Sequence, residues 1–258
     1  MPALPNAGSL SVVVPAFNEA RRITATLTSL CTYLHHTPWD WEVRVVDDGS
    51  TDETVRLAAA VSVAEPRVVI QREPHQGKGG AVKAGMSEAR GAYRFMCDAD
   101  LSMPVAELER FFPGDRDDAD VIIATREGAG ARRVGEPFHR HLVGRGFNFA
   151  VQRLLLPGCN DSQCGFKMFS AAAADAIFPH VTVTGWGFDL EVLAIARVKG
   201  LRIAEVPIEW HYRTDSRVRI ARDAMRMFTE LLEIRRRATN GSYGPVSAGG
   251  QPRASPRR

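Results

Sequence analysis

Two aspartates one residue apart, Asp98 and Asp100, are the residues of this sequence best suited to chemistry. They follow the apolar run 93–97, and in extended backbone side chains at positions i and i+2 point to the same side. Two carboxylates at a strand end can hold one hard cation, and Mg²⁺ or Mn²⁺ often completes its oxygen ligands with water and substrate phosphate. The pair therefore predicts a divalent metal beside a phosphorylated ligand, although Asp-x-Asp also occurs in solvated turns.

Strands and helices alternate through the first half of the chain. β-branched runs indicate buried strands, and apolar residues at helical spacing indicate helices. The sequence from Ser50 to Glu53 matches a capping box, which would start a helix at Ser50. The alternation predicts an α/β fold with a mostly parallel sheet flanked by helices. The predicted strands are 10–15, 41–46, 67–71, 93–97 and 120–125, and the predicted helices are 19–36, 50–64 and 80–90.

Three of the predicted strands end in polar or acidic side chains. Ligands of open α/β sheets bind beyond the carboxyl ends of the strands, so these groups are expected to meet at one site. No GxGxxG follows the first strand and no GxxxxGK[ST] is present, which argues against a dinucleotide fold and a P-loop enzyme. The groups are Asn18 and Glu19, Asp47 and Asp48, and Asp98 and Asp100.

The second half of the chain is less regular. The Gly/Arg-rich segment 126–136 predicts a mobile loop. A polar turn at 161–167 leads into a short strand, and Pro207 confines the strand 201–210 to a sheet edge. The composition from residue 239 onward predicts a disordered tail. The predicted helices are 138–156, 187–199 and 217–237.

Composition narrows the possible partners. A chain of 258 residues, 45% hydrophobic and 24% charged, predicts one large globular domain. A net charge of +3 gives no argument for nucleic acid, but arginines concentrate in 126–153 and 213–237, which suits an anionic ligand or membrane surface. No apolar run approaches the roughly 18 residues that span a bilayer, residues 1–9 lack a signal-peptide core, and the four cysteines form no CxxC pair. We expect a cytoplasmic protein with reduced thiols and at most peripheral membrane association, on the cytoplasmic face.

Longer motifs resemble glycosyltransferase family 2. The first-half motifs VVVPAFNEA, VVDDGSTDET, QGKGGAVKAGM and CDAD are typical of nucleotide-sugar transferases in general. The second-half motifs DSQCGFKMF, GWGFDLEVLAIA and EVPIEW resemble one branch, the dolichyl-phosphate or polyprenyl-phosphate β-glucosyltransferases, which are related to dolichyl-phosphate mannose synthases. The resemblance implies one Rossmann-like GT-A domain over residues 9–238. Residues 9–125 would bind the nucleotide sugar and 126–238 the acceptor, with a C-terminal amphipathic helix and a basic tail at 239–258.

The resemblance also assigns the donor site. Asp47 would accept a hydrogen bond from a uracil N–H, and Lys78 would neutralise the donor, although a solvated loop lysine is the alternative. Asp100 would be the firmer ligand of Mg²⁺ or Mn²⁺, with Asp98 nearer the ribose or sugar, and the metal would stabilise the charge that leaves with UDP. Asp48 is expected to shape a turn. The further residues expected at the nucleotide are Pro15, Phe17, Asn18, Glu19 and Gly77.

The acceptor side requires cations more than a base. A lipid phosphate is already a nucleophile at neutral pH, because its second pKa lies near 6, and the planar fork of arginine suits phosphate. Asp189 would orient the phosphate or sugar or act as a base, unless it only caps a helix. Gln163 would bind sugar or acceptor, and Trp186 would stack on the hexose or fill the core. The cationic candidates are Arg126, Arg132, Arg133, Lys167, Arg213, Arg217 and Arg219.

Together these features predict a metal-dependent, inverting transferase that moves glucose from UDP-glucose to a polyprenyl or dolichyl phosphate. The helix 217–237, or the helix 138–156, would lie in the membrane headgroup region or pack on its own domain. The alternatives are GDP-mannose as donor, a soluble acceptor such as phosphoglycerate or a glycan, or a nucleotide-sugar-binding module without catalysis. Intact Asp98, Asp100 and Asp189 argue against the last.

Overall fold

A seven-stranded sheet forms the centre of the computed structural model, which describes residues 8–112, 119–212 and 220–244. The side chains of His139 and of residues 220–225 are not described. The strands are β1 (Ser9–Ala16), β2 (Asp40–Asp48), β3 (Val68–Glu73), β4 (Tyr93–Met96), β5 (Val121–Thr125), β6 (Arg132–Val134), β7 (Lys167–Ser170), β8 (Ile203–Pro207) and β9 (Glu209–His211). The order across the large sheet is β3-β2-β1-β4-β7-β5-β8, and β6 pairs with β9 in a second, two-stranded sheet.

Helices cover both faces of the large sheet. They are α1 (Ile23–Leu34), α2 (Thr54–Ala64), α3 (Lys78–Glu88), α4 (Phe138–Leu154), α5 (Ala171–Ile177), α6 (Phe188–Val198) and α7 (Ile220–Thr239). Short 3-10 helices span Val105–Phe111 and Phe178–His180. The predicted α/β architecture with a mostly parallel sheet is therefore confirmed.

Alternation along β1 divides its valines between two hydrophobic cores. Val12 and Val14 pack in the core on the α1 face, and Val13 packs with Val82 in the core on the α3 face. α3 can lie close to the sheet because Gly85 has no side chain. A Cβ at this position would come within 2.5 Å of the Val13 side chain. Strands buried on both faces in this way read as continuous apolar runs.

One strand runs against the others between the two halves of the sheet. β7 pairs antiparallel with both β4 and β5, and in this register Met96 lies opposite Lys167. An antiparallel strand begins where its neighbour ends, so the turn before Lys167 meets the residues after Met96. The polar turn 161–167 is thereby brought beside Asp98, an arrangement that the sequence prediction of a short strand did not include.

The helices α1 and α2 begin later than predicted, because polar groups before them form hydrogen bonds between loops. α2 begins at Thr54 after Glu53, which makes no side-chain cap, so the predicted capping box at Ser50 is wrong. The hydroxyl of Ser50 instead accepts a hydrogen bond from Asn18 N at 2.8 Å. α1 begins at Ile23 rather than residue 19, and Glu19 N donates to Thr54 Oγ1 at 2.7 Å.

Two second-half segments are more regular than expected. The predicted loop 126–136 contains β6, whose Arg132 N donates to Ile208 O at 2.9 Å. The described chain also continues past the predicted domain end at 238 to Gly244. There Tyr243 is 2% exposed and its hydroxyl donates to Glu191 at 3.0 Å. β8 lies at the sheet edge, as Pro207 predicted.

Candidate active site

The loops after β1 and β2 are joined through Asn18. Its backbone is left-handed, with φ 52°, a conformation that asparagine tolerates better than most residues. Its side-chain oxygen accepts from Thr51 N at 2.8 Å and from Asp52 N at 3.3 Å. This oxygen therefore fixes the two loops to each other at the carboxyl edge where we predicted nucleotide contact. Glu19, the next residue, forms an ion pair with Arg22 at 2.8 Å.

The two acids at the end of β2 make contacts that differ from those expected. Asp47 is 2% exposed and accepts from Ser50 N at 3.2 Å, so Asp47 closes the turn. Asp48 reaches across to the loop after β3, where its carboxylate accepts from Gln76 N at 2.8 Å and Gly77 N at 2.9 Å. The expectation that Asp48 only shapes its own turn is corrected, because β2 and β3 are adjacent and parallel.

An aromatic pair lies beside these acids. The rings of Phe17 and His75 stack with centroids 4.3 Å apart and an angle of 20°. His75 Nδ1 lies 2.9 Å from an Asp48 carboxylate oxygen, and the histidine side chain is 57% exposed. The stacked His75 ring extends the Phe17 surface at the edge where the loops after β1, β2 and β3 meet.

Lys78 is the cation at the centre of the acidic residues. Its ammonium lies 2.6 Å from Asp98 Oδ1 and 5.6 Å from the centre of the Trp186 ring. Burial opposes its charge, but the carboxylates of Asp98, Asp189 and Asp100 outweigh burial and raise the Lys78 pKa. Lys78 therefore carries its positive charge at neutral pH, as neutralisation of a diphosphate requires.

The Asp98 and Asp100 pair fits a divalent cation that is completed by substrate. Burial and then the charge of Asp98 raise the pKa of Asp100, so added positive charge beside these carboxylates would relieve their repulsion. Asp100 is oriented by Ser102 N, which donates to its Oδ1 at 2.9 Å. In the described ranges no three His, Cys, Asp or Glu side chains gather as a metal site. A two-carboxylate set suits Mg²⁺ or Mn²⁺ that also binds phosphate and water.

Asp189 forms an ion pair with a buried lysine. Lys167 Nζ lies 2.5 Å from Asp189 Oδ1 and 2.5 Å from Cys164 O. The two side chains are 1% and 5% exposed, so the ion pair is inside the protein. Lys167 was predicted to contact the acceptor phosphate, but the structure places its ammonium on Asp189. Asp189 itself lies in the first turn of α6, one residue after the first residue of that helix.

Comparison with known proteins identifies the family. Residues 11–178 match the family model described as Glycosyl transferase family 2. The chain belongs to glycosyltransferase family 2. It is 32% identical over 256 residues to the dolichyl-phosphate beta-glucosyltransferase of Saccharomyces cerevisiae, covering 91% of this chain and 76% of the relative. It is 32% identical over 249 residues to the Homo sapiens protein of the same name, covering 91% and 77%.

Solved structures establish the GT-A fold of this transferase. Mannosyl-3-phosphoglycerate synthase from Rubrobacter xylanophilus superposes with a TM-score of 0.67 at 18% identity, over 95% of this chain and 78% of the other. Glucosyl-3-phosphoglycerate synthase from Mycobacterium tuberculosis, in complex with Mn²⁺, UDP-glucose and phosphoglyceric acid, superposes with a TM-score of 0.63 at 20% identity, over 88% and 80%.

Several of the described arginines in the transferase's second half bind its own acids. Arg126 donates to both carboxylate oxygens of Asp161, at 2.6 Å and 2.8 Å, and to one of them again through its backbone N at 3.0 Å. Arg133 lies between Glu127 and Glu136, at 2.7 Å and 2.6 Å. Arg126 was predicted to act on the acceptor, and the structure shows its guanidinium paired.

The remaining predicted acceptor residues differ in accessibility. Arg132 is 73% exposed beside Glu209, and Trp186 is 36% exposed. The side-chain amide of Gln163 lies 3.9 Å from the sulfur of Met227 on α7. Arg213, Arg217 and Arg219 fall outside the described residues.

Gly165 is a site residue that the sequence analysis missed. A Cβ at this position would lie 1.9 Å from Asp98 Oδ2, so any other residue would displace the carboxylate. The only sequence signal was its place inside the QCGFK motif. Its meaning depends on the antiparallel pairing of β7 with β4, which brings residues 67 positions apart into contact.

Proposed function

We propose that this transferase moves glucose from UDP-glucose to a polyprenyl or dolichyl phosphate, with inversion, to give a β-linked lipid-phosphate sugar. The observation that carries the proposal is the convergence of Lys78, Asp98, Asp100 and Asp189 at one edge of the sheet. The relatives named dolichyl-phosphate beta-glucosyltransferase support this choice of sugar and acceptor.

The nucleotide sugar would bind across the carboxyl ends of β1, β2 and β4. The base would rest near Phe17 and Asp47, and Lys78 would face the diphosphate. Asp98 and Asp100 would hold Mg²⁺ or Mn²⁺, which when bound neutralises charge on the departing UDP. The fold is shared with a synthase solved with Mn²⁺ and UDP-glucose, which supports this donor and metal.

The acceptor phosphate would attack from the side of the second half. Its oxygen forms a bond to the anomeric carbon while the bond from that carbon to the UDP oxygen breaks, which inverts the configuration. No proton must be removed, because the phosphate is ionised near neutral pH. We therefore assign Asp189 an orienting role, since Lys167 holds it in place 2.5 Å away. Arg132, whose side chain is 73% exposed, would be available to contact the acceptor phosphate.

Two adjacent helices would rest on the membrane. α4 exposes Phe138, Leu142 and Phe149, which share one helical face, and α7 exposes Phe228 and Leu232 one turn apart. α4 and α7 contact each other, and we assign their exposed apolar side chains to one membrane-facing surface. No helix in the described part of the chain is long and apolar enough to cross a bilayer. A basic, amphipathic surface of this kind suits peripheral binding at the headgroups of the cytoplasmic face.

A two-phase extraction assay tests the proposal. Purified transferase is incubated with Mn²⁺, dolichyl phosphate and UDP-glucose labelled in the sugar, and label should move into the organic phase. EDTA should stop the transfer, and excess Mn²⁺ should restore it. Label that moves only from GDP-mannose would contradict the donor, and label that moves only to phosphoglycerate would contradict the acceptor. UDP binding without any turnover would instead indicate a binding module.

A further inference from the structure

We propose that Glu230 on α7 is a positioning residue of the active site, acting through the turn Gly185–Gly187. The carboxylate fixes this turn, which carries Trp186 and leads directly into α6 with Asp189. The inference rests on the proposed function, since it concerns how the donor site is kept in shape.

The first contact lies at the start of α6. Gly187 is the residue before the first helical residue, and its N–H donates to Glu230 Oε2 at 3.1 Å. A carboxylate at a helix N-terminus is favoured, because the helix dipole places partial positive charge there. Asp189 follows two residues later, so Glu230 sets the origin of the helix from which Asp189 projects.

The glycines on both sides of Trp186 make room for this carboxylate. A Cβ on Gly187 would lie 2.2 Å from Glu230 Oε2, and a Cβ on Gly185 would lie 3.3 Å from Glu230 Oε1. Glu230 is itself held by Arg226, 3.0 Å away, and its side chain is only 16% exposed. The two glycines of the GWG sequence therefore leave the space that Glu230 occupies, more than forty positions further along the chain.

The opposite side of the same segment contacts the start of α3. Gly79 N donates to Thr184 O at 2.8 Å, and a Cβ on Gly77 would lie 2.6 Å from that same oxygen. Lys78, between these glycines, has its ammonium 5.6 Å from the Trp186 ring. The segment 182–188 thus lies between α7 and the start of α3, which carries Lys78, and loss of Glu230 would loosen both Trp186 and Lys78.

The test combines steady-state kinetics with tryptophan fluorescence on the full chain. Among the four tryptophans, Trp39, Trp41 and Trp210 are 5%, 3% and 9% exposed, so acrylamide quenching reports mainly on Trp186 at 36%. In Glu230→Ala, the tryptophan fluorescence should be quenched by acrylamide more steeply than in the wild type. The variant should also raise KM for UDP-glucose about tenfold, the loss of one charge-assisted hydrogen bond, with kcat changed less than about twofold.

The matched variants separate positioning from simple support of the fold. Glu230→Gln keeps an acceptor oxygen, so its KM should return to within about threefold of wild type. Glu88→Gln, at the exposed C-terminal end of α3, should leave KM and quenching unchanged. A fall in melting temperature and kcat at unchanged KM would overturn the proposal, as would quenching equal to wild type.

Two further controls keep the result decisive. If Glu230→Ala does not fold, Arg226→Ala can replace it, because this variant frees the Glu230 carboxylate from its ion pair. Arg226→Ala should raise KM for UDP-glucose about threefold. An unchanged KM would overturn the proposal. Wild-type protein that does not use UDP-glucose would contradict the proposed donor. The quenching difference between wild type and Glu230→Ala would still decide whether Glu230 holds the turn.

Discussion

In the first half of the chain, Lys78, Asp98 and Asp100 cluster where we propose the ligand binds, whereas several charged residues described in the second half pair with each other. Asp98 and Asp100 lie at an open edge with Lys78. Lys167 is instead buried against Asp189, and Arg126 is paired with Asp161. A charged residue within a family-like motif is therefore not by itself a substrate contact.

Burial accounts for the difference. Parallel strands deliver their carboxyl ends to one edge, where acids can serve a ligand. β7 runs the other way, so the turn before it meets the same edge beside Asp98, and its buried Asp161 and Lys167 are neutralised by Arg126 and Asp189. Burying an unpaired charge costs several kcal/mol, which is why each buried charge of this turn has a partner.

The largest effect is expected at the open edge, from Asp100→Ala. Removing this carboxylate should abolish transfer, a loss on the order of a thousandfold, because the charge stabilisation at the departing UDP is lost. The extraction assay measures the loss, and circular dichroism should show an unchanged fold. Asp40→Ala, exposed at the opposite end of β2, is the control and should keep full activity. Turnover like wild type in Asp100→Ala would remove the metal assignment.

Lys167→Met should mainly cost stability. Leaving Asp189 buried without its partner is expected to lower the free energy of unfolding by about 3 kcal/mol, measurable by urea denaturation. The double variant Lys167→Met/Asp189→Leu should recover much of that stability but remain inactive. If Lys167→Met is as stable as wild type and only raises KM for the lipid phosphate, then Lys167 contacts the acceptor. That result would contradict the view that charged residues of the second half mainly neutralise each other.

Replacing the exposed apolar face of α4 should weaken membrane binding alone. The variant Phe138→Ser/Leu142→Ser/Phe149→Ser is expected to bind anionic vesicles about tenfold more weakly in co-sedimentation, because each side chain loses apolar burial in the lipid. UDP binding should not change. Val63→Ser, which alters an 86% exposed side chain on α2, is the control and should sediment like wild type. Equal vesicle binding by the triple variant would exclude this face from the membrane surface.

The smallest effect is expected at the aromatic pair of the first half. His75→Ala should weaken UDP binding about threefold, since a stacking contact contributes roughly 0.5–1.5 kcal/mol. His75→Phe should bind like wild type, which titration calorimetry can measure. His36→Ala, at an exposed position just after α1, provides the comparison. Unchanged binding in His75→Ala would show that the pair only supports the loop.

Local patterns were sufficient for the α/β alternation and for the carboxyl edge that carries Asp98 and Asp100. Side-chain periodicity and strand-end acids depend on neighbours in sequence, so they can be read without a structure. The edge position of β8 was predictable for the same reason, because Pro207 lacks an N–H for a further partner.

Only the tertiary structure decided how the second half serves that edge. The antiparallel insertion of β7, the pairing of Lys167 with Asp189, the space at Gly165 for Asp98 and the reach of Glu230 to Gly187 all join residues distant in sequence. A charge or a glycine has the same local appearance whether its partner is water, a ligand or another strand. The partner is selected by packing, because burial makes an unpaired charge costly and leaves no room for a side chain.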